Sequence, residues 1–389
     1  MPAFQLFNTG KRRLQLALVV ATASAVFIGG CSEKTPEPDS QQAQAPTPSS
    51  ISTPLIDTSD TDTRFWQAID TQLGAMLSAS QALNARTSEF LNTPTPENLK
   101  IAQDQLIEVK NRTAGLSALS YLVRSAPSIF RESASQLFKI QAHPIQPGYL
   151  DRFGPYKYSG LVFDIGFKLN TASLIDQHGL TDSEEVVLGV YAIEFMLMGE
   201  NRGRSAQDYA EVLTLNAQHI EQKLSQVAEV PNNRRRSLLS LQIEQLLSDL
   251  TAIRSLYSSA TSSDFMRWHT ESSQQKISKV RSGLQNGVTV CLVALAELQA
   301  AFDKGSSGND TPADAEQVTI AKAEQQAKLL AAKIESLKSM TVYFSDVERN
   351  AIDDALGQAA QTLSSLSFDD IENAKKQTQS VYEQLKTTI

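Results

Sequence analysis

Eight positions between Trp66 and Phe90 advance along the chain by threes and fours: Trp66, Ile69, Leu73, Met76, Ser80, Leu83, Thr87 and Phe90. Such a repeat puts all eight on one face of a long helix and is incompatible with a strand, whose side chains alternate with a period of two. The pattern predicts helical stretches over most of the remaining chain. One begins at Thr95-Pro96, an N-cap residue followed by proline at the first helical position, and runs to about Val123. Others cover about 205–227, 233–259, 263–302, 315–340 and 346–386. Thr181-Asp-Ser-Glu184 and Ser345-Asp-Val-Glu348 read as capping boxes, the first opening a helix through residue 198. No run alternates convincingly enough to suggest a strand. The expected fold class is all-α, with two four-helix-bundle-like domains over 61–230 and 231–389, divided where Pro231-Asn-Asn breaks the pattern.

The N-terminus indicates compartment. Lys11, Arg12 and Arg13 precede an uncharged, mostly apolar run from Leu14 to Ile28, about 15 residues long, which suits a signal sequence better than a membrane span. It ends in Ile28-Gly-Gly-Cys31, which resembles the lipobox of bacterial lipoproteins. That resemblance implies that residues 1–30 are a signal peptide and that Cys31 is lipidated. Ser32 rather than Asp after the cysteine implies sorting to the outer membrane of a Gram-negative cell. Residues 31–60, rich in Pro, Ser, Thr and Gln, read as a flexible tether. Removing residues 1–30 takes away three positive and no negative charges, moving the formal charge from −8 to −11. That balance argues against nucleic acid and leaves membrane attachment to the lipid on Cys31 alone. Cys291 then has no disulfide partner and reads as a small buried apolar residue.

Val186 to Met198 carries a single charge, Glu194. On a helix, Val187, Tyr191, Glu194 and Met198 share one apolar stripe beside that of Val186, Val190, Ile193 and Leu197. A carboxylate there requires a partner: a cation, a hydroxyl cluster, an arginine or a metal. The residues alone leave a structural and a functional Glu194 equally open. The irregular stretch His143–Pro155 is of a length often used for function. Lys304–Pro312 reads as an exposed connector, and Arg234-Arg235-Arg236 as a solvated face. His178 reads as a turn residue, while His143, His219 and His269 show no ligand spacing.

Gly189-x-Tyr191-x-x-Glu194 resembles the Gly-x-His-x-x-Glu motif of the imelysin-like family, filed as peptidase M75. The upstream Pro155-Tyr-Lys-Tyr-Ser159-Gly160-Leu-Val-Phe-Asp164 and Gln177-His-Gly-Leu-Thr-Asp182 segments resemble the same family. The resemblance implies an all-helical protein with two bundle-like domains and a ligand site at their junction. It also implies a periplasm-facing envelope protein linked to iron uptake, with membrane proteins of iron uptake as partners. By the same resemblance the site candidates are Glu194, Tyr191, Asp164, Ser159 and Gly189, and the expected cofactor is iron. Tyr191 stands where the family has histidine, and a neutral phenol is a poor ligand for a divalent metal. The expectation is therefore a binding protein rather than an enzyme. A structural or adaptor lipoprotein with a degenerate metal site and a zinc metallopeptidase are the alternatives.

Overall fold

A computed structural model of the chain describes residues 59–258, 262–306, 313–363 and 368–387. The expected signal peptide, Cys31, nearly all of the tether and most of the Lys304–Pro312 connector lie outside them. The first half of the described chain opens with two long helices, α1 (Ser59–Asn92) and α2 (Pro96–Gly115), and two of about three turns, α3 (Ser117–Ser125) and α4 (Arg131–Gln141). Short ones follow: α5 (Thr171–Gln177), α6 (Val190–Met198) and α7 (Ala217–Glu221). Then come α8 (Pro231–Ser258), α9 (Ser263–Thr270), α10 (Ser273–Ser306), α11 (Ala313–Ser336), α12 (Asp346–Thr362) and α13 (Phe368–Thr387). The fold is all-α, and among the described residues there is no strand, only an isolated bridge between Phe153 and Tyr156.

All eight positions of the opening stripe are buried, Ser80 and Thr87 included. Thr95 caps α2 by accepting from the Asn98 backbone N–H, and Ser345 and Glu348 form the expected reciprocal box on α12. Six expected spans need correction, five of them here and the one opened at Thr181 with its helix below. The helix from Pro96 breaks at Leu116, which frees α3 to cross onto α10. The contact is close: a Cβ on Gly287 would lie 2.7 Å from the Tyr121 ring. The 263–302 span is two helices, parted after Thr270; 315–340 ends in a 3-10 turn (Leu337–Tyr343), and 346–386 divides into α12 and α13. Residues 205–227 do not form one helix. Ser205 and Asn216 each start a separate short turn by binding neighbouring backbone, the competition that makes such residues poor in helix interiors, and Glu229 does the same for the turn after Gln226 by accepting from the Ser225 and Gln226 N–H groups.

Helices α1, α2, α4, α6 and α8 pack together, while α3, α10, α11, α12 and α13 form a second group joined to the first through α2 and α11. One hydrophobic cluster runs through both. The expected boundary at 231 is the head of α8, which packs on α1, α4 and α6, so α6 has neighbours from both sides of it. Helix α10 is long and apolar enough to cross a membrane by composition. Here it buries Val280, Leu284, Val288, Cys291, Leu295 and Leu298 within the fold. Burial pushes the Cys291 thiol up to about 12, as befits a core residue.

Candidate functional site

Helix α6 carries the motif and holds few local signals for itself. It has no side-chain N-cap, and the Thr181–Glu184 box expected to open it does not. Thr181 instead bonds Glu185 through its backbone N–H and its hydroxyl, and the chain stays in turns until Gly189. Gly189 has φ +87, and a Cβ there would sit 2.3 Å from the Lys139 carbonyl oxygen and 2.6 Å from that of Ile140. No other residue fits against the end of α4, so the motif glycine has a steric role.

The segment leading into α6 and the C-terminal end of the helix are held from a distance. The His178 Nδ1 accepts from the Val187 and Leu188 N–H groups at 3.3 and 3.2 Å, and the Gln242 amide donates to the Val187 carbonyl at 2.9 Å. Burial holds the His178 imidazole below its usual value, in keeping with an accepting ring nitrogen. At the other end, Tyr209 Oη and Arg204 Nε donate to the Met196 carbonyl at 2.7 and 2.9 Å, and Gln103 donates to that of Leu197 at 2.9 Å. These groups take up the orphan carbonyls that every helix end leaves.

Glu194 does have a cation for a partner. Lys110 of α2 donates from Nζ to Oε1 at 2.5 Å, with the lysine side chain 11% and the glutamate 23% exposed. The same ammonium lies 5.5 Å from the centroid of the Tyr191 ring, a cation–π distance. The His143 ring lies against Tyr191, centroids 4.5 Å apart and planes tilted by 32°. Burial, with the Glu194 charge added, pushes the Tyr191 phenol above its usual value, so it is neutral at physiological pH. Lys110 and His143 were not expected here: Lys110 lies 84 residues away in sequence, and His143 sits in an irregular segment.

Asp164 and Ser159 lie in the loop after α4 and are not joined to Tyr191 or Glu194 by any hydrogen bond. The Asp164 carboxylate accepts from the Gly166 and Phe167 N–H groups, and the Ser159 hydroxyl donates to the Tyr156 carbonyl at 3.0 Å. Arg234 fastens this loop by donating to the carbonyls of Leu161, Val162, Asp164 and Phe167 at 2.6–3.0 Å. The arginine run is therefore no solvated face. Arg235, which is 2% exposed, binds both oxygens of the fully buried Asp151 at 2.7 and 3.0 Å, and Arg204 Nη1 lies 2.8 Å from the same carboxylate. A guanidinium can span several acceptors at once, which is why arginines serve inside this fold. No local signal ties Asp151 to Arg235, and only the unusual run of three arginines marks the place.

As arranged, these residues do not fit a metal. The one motif carboxylate is neutralised by an ammonium, the phenol is protonated, and among the described residues no three His, Cys, Asp or Glu side chains converge.

Residues 69–387 match the family model described as Imelysin, peptidase M75. The chain belongs to the imelysin family. A solved structure from Parabacteroides distasonis ATCC 8503, described as an iron-regulated protein A precursor, is similar over 84% of this chain and 94% of its own. The identity is 11% and the TM-score 0.47. No curated protein gives a match. Within this imelysin-family chain, a lysine and a tyrosine occupy the space around Glu194.

Proposed function

We propose that this imelysin-family protein is a non-catalytic binding lipoprotein of the bacterial cell envelope. It faces the periplasm, is anchored through Cys31 in the outer membrane, and acts in association with iron uptake. The anchor and the compartment rest on the lipobox-like sequence alone, and the iron association rests on the family. The observation that carries the non-catalytic reading is the Lys110–Glu194 pair beneath Tyr191. Zinc hydrolysis needs about three protein ligands, an open coordination position and a general base. Here the glutamate is held by an internal cation and the motif histidine is a neutral phenol. The binding face is the surface around Tyr191, Glu194 and His143.

Metal analysis of the purified domain, together with a casein and peptide turnover assay, tests the reading. The expected result is less than stoichiometric metal and no turnover. Zinc at one equivalent with turnover that Glu194→Gln abolishes would overturn it. For the anchor, labelling with a fatty-acid analogue should mark the wild type and not Cys31→Ser. For the pathway, a deletion strain should grow more slowly under iron chelation, and equal growth would remove the iron association.

A further inference from the structure

Four of the concavities in this acidic protein carry carboxylates: Asp62 and Asp70 in one, Glu108 and Glu335 in a second, Glu229 in a third and Asp346 in a fourth. A fifth carries none. It is a cavity of about 520 Å³ between α3, α4 and the segment that follows α4. Arg124 and His143 stand in its wall, with Ser120, Gln141 and Ser183 as its other polar groups. The rest is apolar and includes Val123, Leu137 and Phe138. His143 also contacts the Tyr191 ring, so the cavity shares a wall with the motif.

Arg124 supplies the uncommitted donors there. Arg124 is exposed and has no hydrogen bond or ion pair among the described residues, unlike Arg204, Arg234, Arg235 and Arg254. The Ser120 hydroxyl lies within hydrogen-bond reach of the Leu116 carbonyl at 3.2 Å and of Gln141 Oε1 at 2.9 Å, so it is satisfied inside the fold. A carbonyl can only accept, so the 2.8 Å contact of His143 Nδ1 with the Gln141 carbonyl puts the ring proton on Nδ1. A planar guanidinium with two free N–H groups matches a carboxylate in bidentate fashion. The apolar remainder matches a hydrocarbon or ring body, and the volume lies within the range of small-molecule sites.

We infer that this cavity binds a small apolar carboxylate, its anionic group on Arg124 and its body against Val123, Leu137 and Phe138. This names a ligand class for the binding role above and rests on that role for its place in the cell, while its chemistry requires no metal.

The probe is 2-naphthoate, titrated into the folded domain by calorimetry, with 2-naphthalenemethanol as the neutral counterpart. Wild type should bind the carboxylate with a Kd below about 1 mM. Arg124→Gln should weaken it about tenfold or more, the loss of one charge-assisted interaction, and should leave the weaker binding of the alcohol unchanged. Arg124→Lys should fall between. Unaltered melting of these exposed-residue variants confirms that folding is not the cause. Equal affinity for acid and alcohol, an Arg124→Gln variant that binds as wild type does, or no saturable binding would overturn the inference. The metal and turnover assays fail or succeed independently. A zinc-loaded active protein that still binds naphthoate through Arg124 sinks the non-catalytic reading and spares this one, and a metal-free protein that ignores naphthoate does the reverse.

Discussion

Lys110 and Glu194 meet at 2.5 Å across 84 residues of sequence, and the lysine arrives from α2 while the glutamate stands in the middle of α6. The pair answers the problem posed by a lone carboxylate in an apolar helix. Each member is partly shielded from water, so each needs the other. Glu194→Gln should lower stability by about 1–3 kcal/mol, because it strands the ammonium. Lys110→Met should do the same to the carboxylate. Glu194→Met should likewise strand the ammonium, and Lys110→Met with Glu194→Met should recover most of the loss, since well-packed apolar replacements of an ion pair are often neutral. Wild type, the two Met singles and the Met double are the four proteins compared. Urea denaturation of the four proteins measures this as a cycle. Additive losses in the double variant would show that the two residues do not depend on each other.

The same pair predicts how the motif responds to repair. Tyr191→His restores the family pattern, yet Lys110 still occupies the Glu194 oxygen. Tyr191→His alone should gain no affinity for Zn²⁺. Tyr191→His with Lys110→Gln should gain it, seen as a rise in thermal midpoint on adding Zn²⁺ to the double variant only. Zinc binding by the single variant would mean that Lys110 does not close the site.

Gly189→Ala places a Cβ against the last carbonyls of α4, in a backbone region that L side chains avoid. The expected cost is on the order of 3 kcal/mol, combining backbone strain with displacement of the helix end. Melting measurements test it, and a loss below about 1 kcal/mol would show that the α4–α6 contact yields easily.

Asp151 gives a pH dependence. Burial alone would raise its pKa, but the Arg235 hydrogen bonds, the charges of Arg235 and Arg204 and the Arg152 N–H outweigh it and hold the carboxyl below its usual value. A carboxylate with a depressed folded pKa stabilises the fold fully above its unfolded value, about 3.9, and loses that contribution as pH falls through the folded one. Wild-type stability should therefore drop below about pH 4. Asp151→Asn leaves two buried guanidinium groups underpaired and should cost about 3–5 kcal/mol at pH 7. The gap between the two proteins should narrow as the buffer is taken toward pH 3, read from urea midpoints across the series.

The long helices were legible because their stripes are written locally: every residue from Trp66 to Phe90 in the three-four repeat is buried. The caps at Thr95 and Ser345 were legible for the same reason. What lies between α4 and α8 was not. There, α6 is fixed by His178, Gln242, Gln103, Arg204 and Tyr209, and the loop before α5 by Arg234. Such partners leave no periodicity behind. The arginine run misled because surface charge is the common case, whereas these guanidinium groups replace the backbone pairing that helices supply elsewhere. Glu194 was legible as a residue in need of a cation. That the cation is Lys110 was not, since nothing in α2 marks that lysine among its other polar residues.

Helix α6 has a consequence before it exists as a helix. It is nine residues long, has no cap of its own, and takes its end partners from segments that must already be in place. A helix that short does not persist in water, so in the unfolded chain the stretch from Val186 to Met198 is bare apolar sequence interrupted by one charge. Segments of that composition self-associate unless a gatekeeper breaks them. Glu194 is the one charge in that stretch and so its only candidate gatekeeper. Glu194→Gln should therefore scatter more light during dilution from denaturant than Lys110→Met does, although both lose the same ion pair once folded. Equal scattering by the two variants would show that the carboxylate matters only in the finished protein.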